Sequence, residues 1–118
     1  MKKIALKISF YLLMTVLLLL TCLNNSYSQN SNPIPYLKGT VWGFCDFNKK
    51  ITIVPQYNYV SPFYEGFAVV RKDTKYGMID ETGKIVIPIE YTNVTAFYDG
   101  ISSVQDDEKY GGYDKTGK

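Results

Sequence analysis

The sequence predicts an all-β fold: antiparallel hairpin and meander repeats with a period of 34 residues, preceded by an N-terminal signal helix. Three observations predict it. Short β-branched and aromatic runs alternate with turn residues. The same residues return every 34 positions along residues 42–118. The one long apolar run sits at the N-terminus, behind a basic cluster.

The leader comes first. Lys2, Lys3 and Lys7 form a positive n-region, Ile8 to Leu23 is almost wholly apolar, and Asn24 to Gln29 is polar with Ser26 and Ser28 at small-x-small spacing. This order is that of a secretory signal, residues 1–28, cleaved after Ser28. Two alternatives stay open. Cys22, after Leu19-Leu20-Thr21, fits a lipobox and would carry a lipid anchor. The segment could also stay uncleaved as a short anchor, although its apolar run falls below the roughly 20 residues a bilayer span needs. In each case the expected location is outside the cytoplasm (periplasm, cell surface or medium), and only this segment is expected to meet a membrane.

Charge and cysteine use follow from that reading. The 118-residue chain carries 13 basic and 11 acidic residues, net +2. Removing the three leader lysines leaves 10 against 11, a net −1. The basic balance therefore belongs to the leader, and no nucleic-acid partner is expected. Cys45 is the one cysteine left, so no intrachain disulfide forms; its strand context marks a small apolar filler. With no histidine in the chain, Ser-His-Asp and Cys-His catalysis and His-ligated metals are excluded.

The repeat supplies the architecture. Residues 29–41 are a linker and opening half-repeat, 42–75 and 76–109 are full repeats, and 110–118 begin a third. Trp42-Gly43, Tyr76-Gly77 and Tyr110-Gly111 share one phase, as do Asp46, Asp80 and Asp114. In each unit a strand such as Phe67–Lys72 turns at Asp73-Thr74 into Lys75–Asp80. Asp80-Glu81-Thr82-Gly83 then turns into a third strand. Gly83 and Gly117 supply the φ > 0 residue of a type I turn with a bulge, and the aspartate accepts turn N–H bonds. In the first unit Lys49 replaces that glycine, and Asn48 is expected to take the left-handed position. Pro55 and Pro88 are expected to end the third strands. Tyr57, Val60 and Phe63, and Tyr91, Val94 and Phe97, recur every three residues, which predicts one helical or 3₁₀-like turn closed by Gly66 and Gly100. About eight strands are expected, with an unpaired edge at one or both ends.

Lys75-Tyr76-Gly77-Met78-Ile79-Asp80-Glu81-Thr82-Gly83-Lys84-Ile85-Val86-Ile87-Pro88, followed by Glu90-Tyr91, resembles the unit of the WG-repeat (KWG-repeat) family. Trp42-Gly43 keeps the family's dipeptide, and tyrosine stands in for its tryptophan at Tyr76 and Tyr110. The resemblance implies an all-β array, frequently exported in bacteria, that acts as a binding or scaffold module. It carries no catalytic residues.

The functional expectation is a non-catalytic exported interaction module, with an envelope glycan binder as the alternative. The expected partner is a protein or a second copy. The recurring aspartates read as turn formers, and Asp106-Asp107-Glu108 as a solvated hairpin tip. No catalytic residue, metal or cofactor is expected. Among the aromatic residues, Trp42, Tyr57, Tyr76, Tyr91, Phe63 and Phe97 are expected in the core. Tyr59, Tyr64 and Tyr98 are the candidate ligand contacts, because exposed aromatics stack on sugar rings or peptides.

Overall fold

The computed structural model describes residues 2–25 and 32–118, in two units, Met1–Asn30 and Ser31–Lys118. In the first, α1 runs Lys2–Asn25. Its leucine-rich sequence contains neither glycine nor proline, so nothing in it interrupts helical hydrogen bonding. Among the described residues no helix is long and apolar enough to cross a membrane. The cleavage position after Ser28 and the Cys22 side chain lie outside what is described.

The second unit contains ten strands among the described residues, not about eight. They are β1 (Ile34–Lys38), β2 (Val41–Cys45), β3 (Ile51–Tyr57), β4 (Tyr59–Val60), β5 (Phe67–Lys72), β6 (Lys75–Asp80), β7 (Ile85–Tyr91), β8 (Asn93–Val94), β9 (Ile101–Asp106) and β10 (Lys109–Asp114). They form three antiparallel sheets, ordered β1-β2-β3, β4-β5-β6-β7 and β8-β9-β10.

The extra strands, β4 and β8, correct the expected helical link. The three-residue spacing marks buried positions, but an extended chain buries them. Tyr57 ends β3, Val60 lies in β4 and Phe63 follows in an extended stretch, all three buried. A two-residue hairpin then reverses the chain. Tyr64 and Phe67 exchange backbone bonds of 2.8 and 3.0 Å around Glu65 (φ 50°) and Gly66 (φ 86°). Asp99 (φ 49°) and Gly100 (φ 81°) repeat this turn. Two consecutive left-handed residues are the mark of a type I′ turn, whose twist suits antiparallel strands.

The prolines do not end strands either. Pro55 and Pro88 sit inside β3 and β7, which are edge strands. Tyr76 pairs with Tyr91 but Met78 with Ile87, so β7 bulges between these pairs, and the proline sits where the ladder is already broken. The left-handed position of the first unit falls on Lys49 (φ 63°), not Asn48.

The middle sheet is buried on both faces. Val60, Ala68, Val70 and Ile79 pack with Phe44, Ile53, Tyr57 and Phe63 in one core. Val69, Met78 and Ile87 pack with Val94, Phe97 and Val104 in another. Successive residues of β5 and β6 therefore feed opposite cores, as strand alternation dictates. This continuous burial explains why β5 reads as an unbroken apolar run. Cys45 is a buried free thiol. The buried Ser102 hydroxyl donates to the Thr95 carbonyl at 2.7 Å.

Candidate functional site

The recurring aspartates cap their own turns. Asp80 Oδ1 accepts from Thr82 N–H (2.9 Å), Thr82 Oγ1 (2.6 Å) and Lys84 N–H (3.0 Å). Asp114 does the same with Thr116 and Lys118, and Asp46 accepts from Asn48 and Lys50 N–H. Slight burial pushes the Asp80 carboxyl up, but the bonds from Thr82 and Lys84 outweigh it and hold the group below its usual value. At Asp114 the Thr116 hydroxyl, then the Lys118 and Thr116 N–H groups, hold the carboxyl below its usual value. Among the described residues no group of three or more His, Cys, Asp or Glu could hold a metal ion. Asp107 and Glu108 form the β9–β10 turn, while Asp106 pairs with Lys75 Nζ at 3.4 Å, joining the second and third sheets.

The glycines of the repeat dipeptide hold the third strand close. A Cβ on Gly77 would lie 2.7 Å from the Ile87 carbonyl oxygen and 2.8 Å from Ile89 Cα. Gly43 meets Ile53 and Pro55 in the same way. At Gly111 the nearest atom is a Val104 methyl at 3.4 Å. The aromatics of the same phase differ accordingly. Trp42 and Tyr76 are half-buried against the two cores, while Tyr110 is 78% exposed.

Two kinds of aromatic display result. Tyr64 and Tyr98 stand at the hairpins of β5 and β9, 61% and 82% exposed. Their neighbours Phe63 and Phe97 are buried, because an extended chain points adjacent side chains to opposite sides. Phe63 packs on Phe44 with ring centroids 4.6 Å apart, and Phe97 on Phe67 at 4.8 Å. Tyr57 is buried, which raises its pKa; Tyr91 is half-buried. The Tyr91 hydroxyl bonds that of Tyr113 at 2.7 Å; this bond first, then burial and the nearby Tyr113 and Glu90 charges, push its pKa up to about 12.

Tyr59 belongs to a different setting. It is 45% exposed and pairs across the sheet with Arg71, which pairs in turn with Tyr76. The Tyr59 and Tyr76 rings meet edge to face at 6.4 Å, and the Arg71 guanidinium carbon lies 5.7 Å from the Tyr76 ring centroid. These tyrosines wall a groove of about 520 Å³, with Ser61, Val69, Asn93 and Val94. Arg71 escaped the sequence reading, which weighed aromatics and carboxylates. Its signal was present: the chain's one arginine stands at a repeat position held by Leu37 in the opening half-repeat and Gln105 in the second repeat.

Antiparallel sheets stacked in chain order, the middle one spanning a full period of the sequence, define a β-repeat array whose surface offers aromatic side chains at recurring positions. The family model described as WG containing repeat matches residues 42–76 and 76–110, and the chain belongs to this family. No curated protein and no solved structure matches the chain.

Proposed function

We propose that the chain is an exported, non-catalytic interaction module that binds a protein partner through its displayed tyrosines. One observation carries this reading. Tyr64 and Tyr98 occupy the same repeat position, on equivalent hairpins, and both are turned to solvent. The scaffold beneath them is rigid, with Phe63 and Phe97 anchoring each hairpin in a core. Rigid exposed aromatics lose little side-chain entropy on binding and are enriched among interface residues that dominate affinity. The outer edge of β1, unpaired among the described residues, offers a second copy a place to add a strand.

The leader supports export. The mass and N-terminal sequence of the protein recovered from the cell envelope distinguish Gln29 as first residue from a lipid-modified Cys22. Photo-crosslinking residues placed at positions 64 and 98 in the producing cell test the partner. A discrete adduct from both positions, absent from position 73 on the turn at the opposite end of β5, is the expected result. No adduct from either overturns the reading. Light scattering after size exclusion checks self-association; a strict monomer at high concentration removes that part.

The second reading, an envelope glycan binder, is favoured by the groove that Tyr59 and Tyr76 wall with rings edge to face.

A further inference from the structure

We propose that Tyr91 and Tyr113 are an oxidative cross-linking site, where a peroxidase joins the two rings into a dityrosine that staples the second sheet to the third. The proposal goes beyond the binding-module reading and uses neither Tyr64 nor Tyr98.

The pair is built across a sheet interface. Tyr91 ends β7 of the second sheet, and Tyr113 lies in β10 of the third. Their hydroxyls are 2.7 Å apart and their ring centroids 5.9 Å apart. Packing does not require two phenols here. One period earlier the same positions hold Tyr57 and Ile79, both buried in the core that the first two sheets share. Tyr113 therefore brings a second phenol where an aliphatic residue suffices. Among the described residues this is the one pair of tyrosines joined through their hydroxyls. Tyr59 and Tyr76 meet edge to face at 6.4 Å. The pair is also reachable. Both rings are half-buried and line a surface pocket of about 460 Å³. An oxidant can therefore take an electron without unfolding the chain.

Phenolic coupling needs two phenoxyl radicals in contact, and the hydroxyl contact brings the ortho carbons of both rings beside it. The tyrosine ring torsion is soft, so the rings can close the remaining gap. The ferryl haem of a peroxidase, formed by hydrogen peroxide, takes one electron from each phenol, and each hydroxyl proton leaves with its electron. The two radicals form one carbon–carbon bond between ortho carbons. Each ortho hydrogen then moves through water to its own ring's oxygen and restores the phenol. The pair has lost two electrons and two protons, which reduce one peroxide to two waters. Holding the partners in contact favours this intramolecular product. The new bond closes the chain between residues 91 and 113 and constrains the unfolded state as a disulfide does. Cys45, buried and the one cysteine after the leader, leaves the repeats no disulfide of their own.

The test treats the full chain, at low concentration, with a haem peroxidase and hydrogen peroxide. Dityrosine fluorescence, intact mass and peptide mapping read the product. A monomer lighter by two hydrogens is expected, with a peptide containing Tyr91 joined to one containing Tyr113. Its urea midpoint should exceed that of the untreated chain. Tyr113→Phe and, separately, Tyr91→Phe should each lose the product, while Tyr64→Phe with Tyr98→Phe should keep it. Circular dichroism checks that each variant is folded. The yield should fall about tenfold or more in urea that unfolds the chain, which separates a built site from chance coupling. The proposal is overturned if the monomer keeps its mass, if only cross-linked dimers form, or if the bond maps to Tyr59 and Tyr76. It is equally overturned if folded Tyr113→Phe, or the unfolded chain, couples as well as the original. None of these results bears on the photo-adducts at 64 and 98, which test the binding reading alone.

Discussion

A carboxylate that accepts several bonds from its own turn ties local structure to pH. Asp80 and Asp114 each accept from two backbone N–H groups and a threonine hydroxyl. Both have lowered pKa values, so the ionised form is the one the folded turn prefers. Their stabilisation is complete above the unfolded carboxylate value near 4 and is lost as pH falls through the lowered folded value. We expect the midpoint of urea unfolding to decline below about pH 4, and to decline less steeply in Asp80→Asn. Lys49 shows the opposite case, a residue its turn strains. It holds φ 63° where the sister turns have Gly83 and Gly117, so Lys49→Gly should stabilise the chain by about 0.5–1 kcal/mol, read from the unfolding midpoint. The favourable aspartate and the unfavourable lysine sit in one turn, which shows that the repeat tolerates local strain where the flanking strands are well packed.

Close approach decides which glycine is indispensable at the scale of the strand. A methyl group on Gly77 would collide with the β7 backbone at Ile87 and Ile89, and backbone cannot step aside as a side-chain tip can. Gly77→Ala should therefore cost more than about 3 kcal/mol by denaturant unfolding. Gly111→Ala, at the same repeat phase but facing only a Val104 methyl at 3.4 Å, should cost less than about 1 kcal/mol. The two values being equal would mean that the dipeptide glycine serves the β-hairpin alone and not the strand across it. Strands β5, β6 and β9 were legible in sequence, because their turns carry strong local signals and each is six residues long. The link strands β4 and β8 were not. Two-residue strands have no periodicity to read, and the every-third spacing of Tyr57, Val60 and Phe63 imitates a helical turn. Glu65-Gly66 and Asp99-Gly100 carried the missing information, since an acidic residue before glycine favours a type I′ hairpin. The display of Tyr64 and Tyr98 was legible for the same local reason. Arg71 was not, because its neighbours Tyr59 and Tyr76 are twelve and five residues away and meet it only through strand register.

At the scale of the whole array, the middle sheet couples the outer two. Val70 serves the core shared with the first sheet and Met78 the core shared with the third, and they are one ladder position apart on β5 and β6. A repeat array unfolds as one unit when its interfaces are strong relative to each layer's own stability. The Tyr91–Tyr113 hydroxyl bond allows that coupling to be tested. It ties the second sheet to the third, while Trp42, the chain's one tryptophan, reports from the first. Tyr113→Phe keeps the ring and removes the bond, and should cost about 1 kcal/mol near neutral pH. If the sheets unfold together, Trp42 fluorescence should register the full loss although the substitution lies two sheets away. An unmoved Trp42 transition, with the near-ultraviolet tyrosine signal shifted, would mean that the layers melt separately. The same variant fixes the alkaline behaviour. Tyr91 is raised to about 12, so its contribution is complete below the unfolded tyrosine value near 10 and drains away as pH rises through 12. Absorbance titration at alkaline pH should show one late-ionising tyrosine fewer in Tyr113→Phe, and its stability should fall less between pH 10 and 12 than that of the unsubstituted chain.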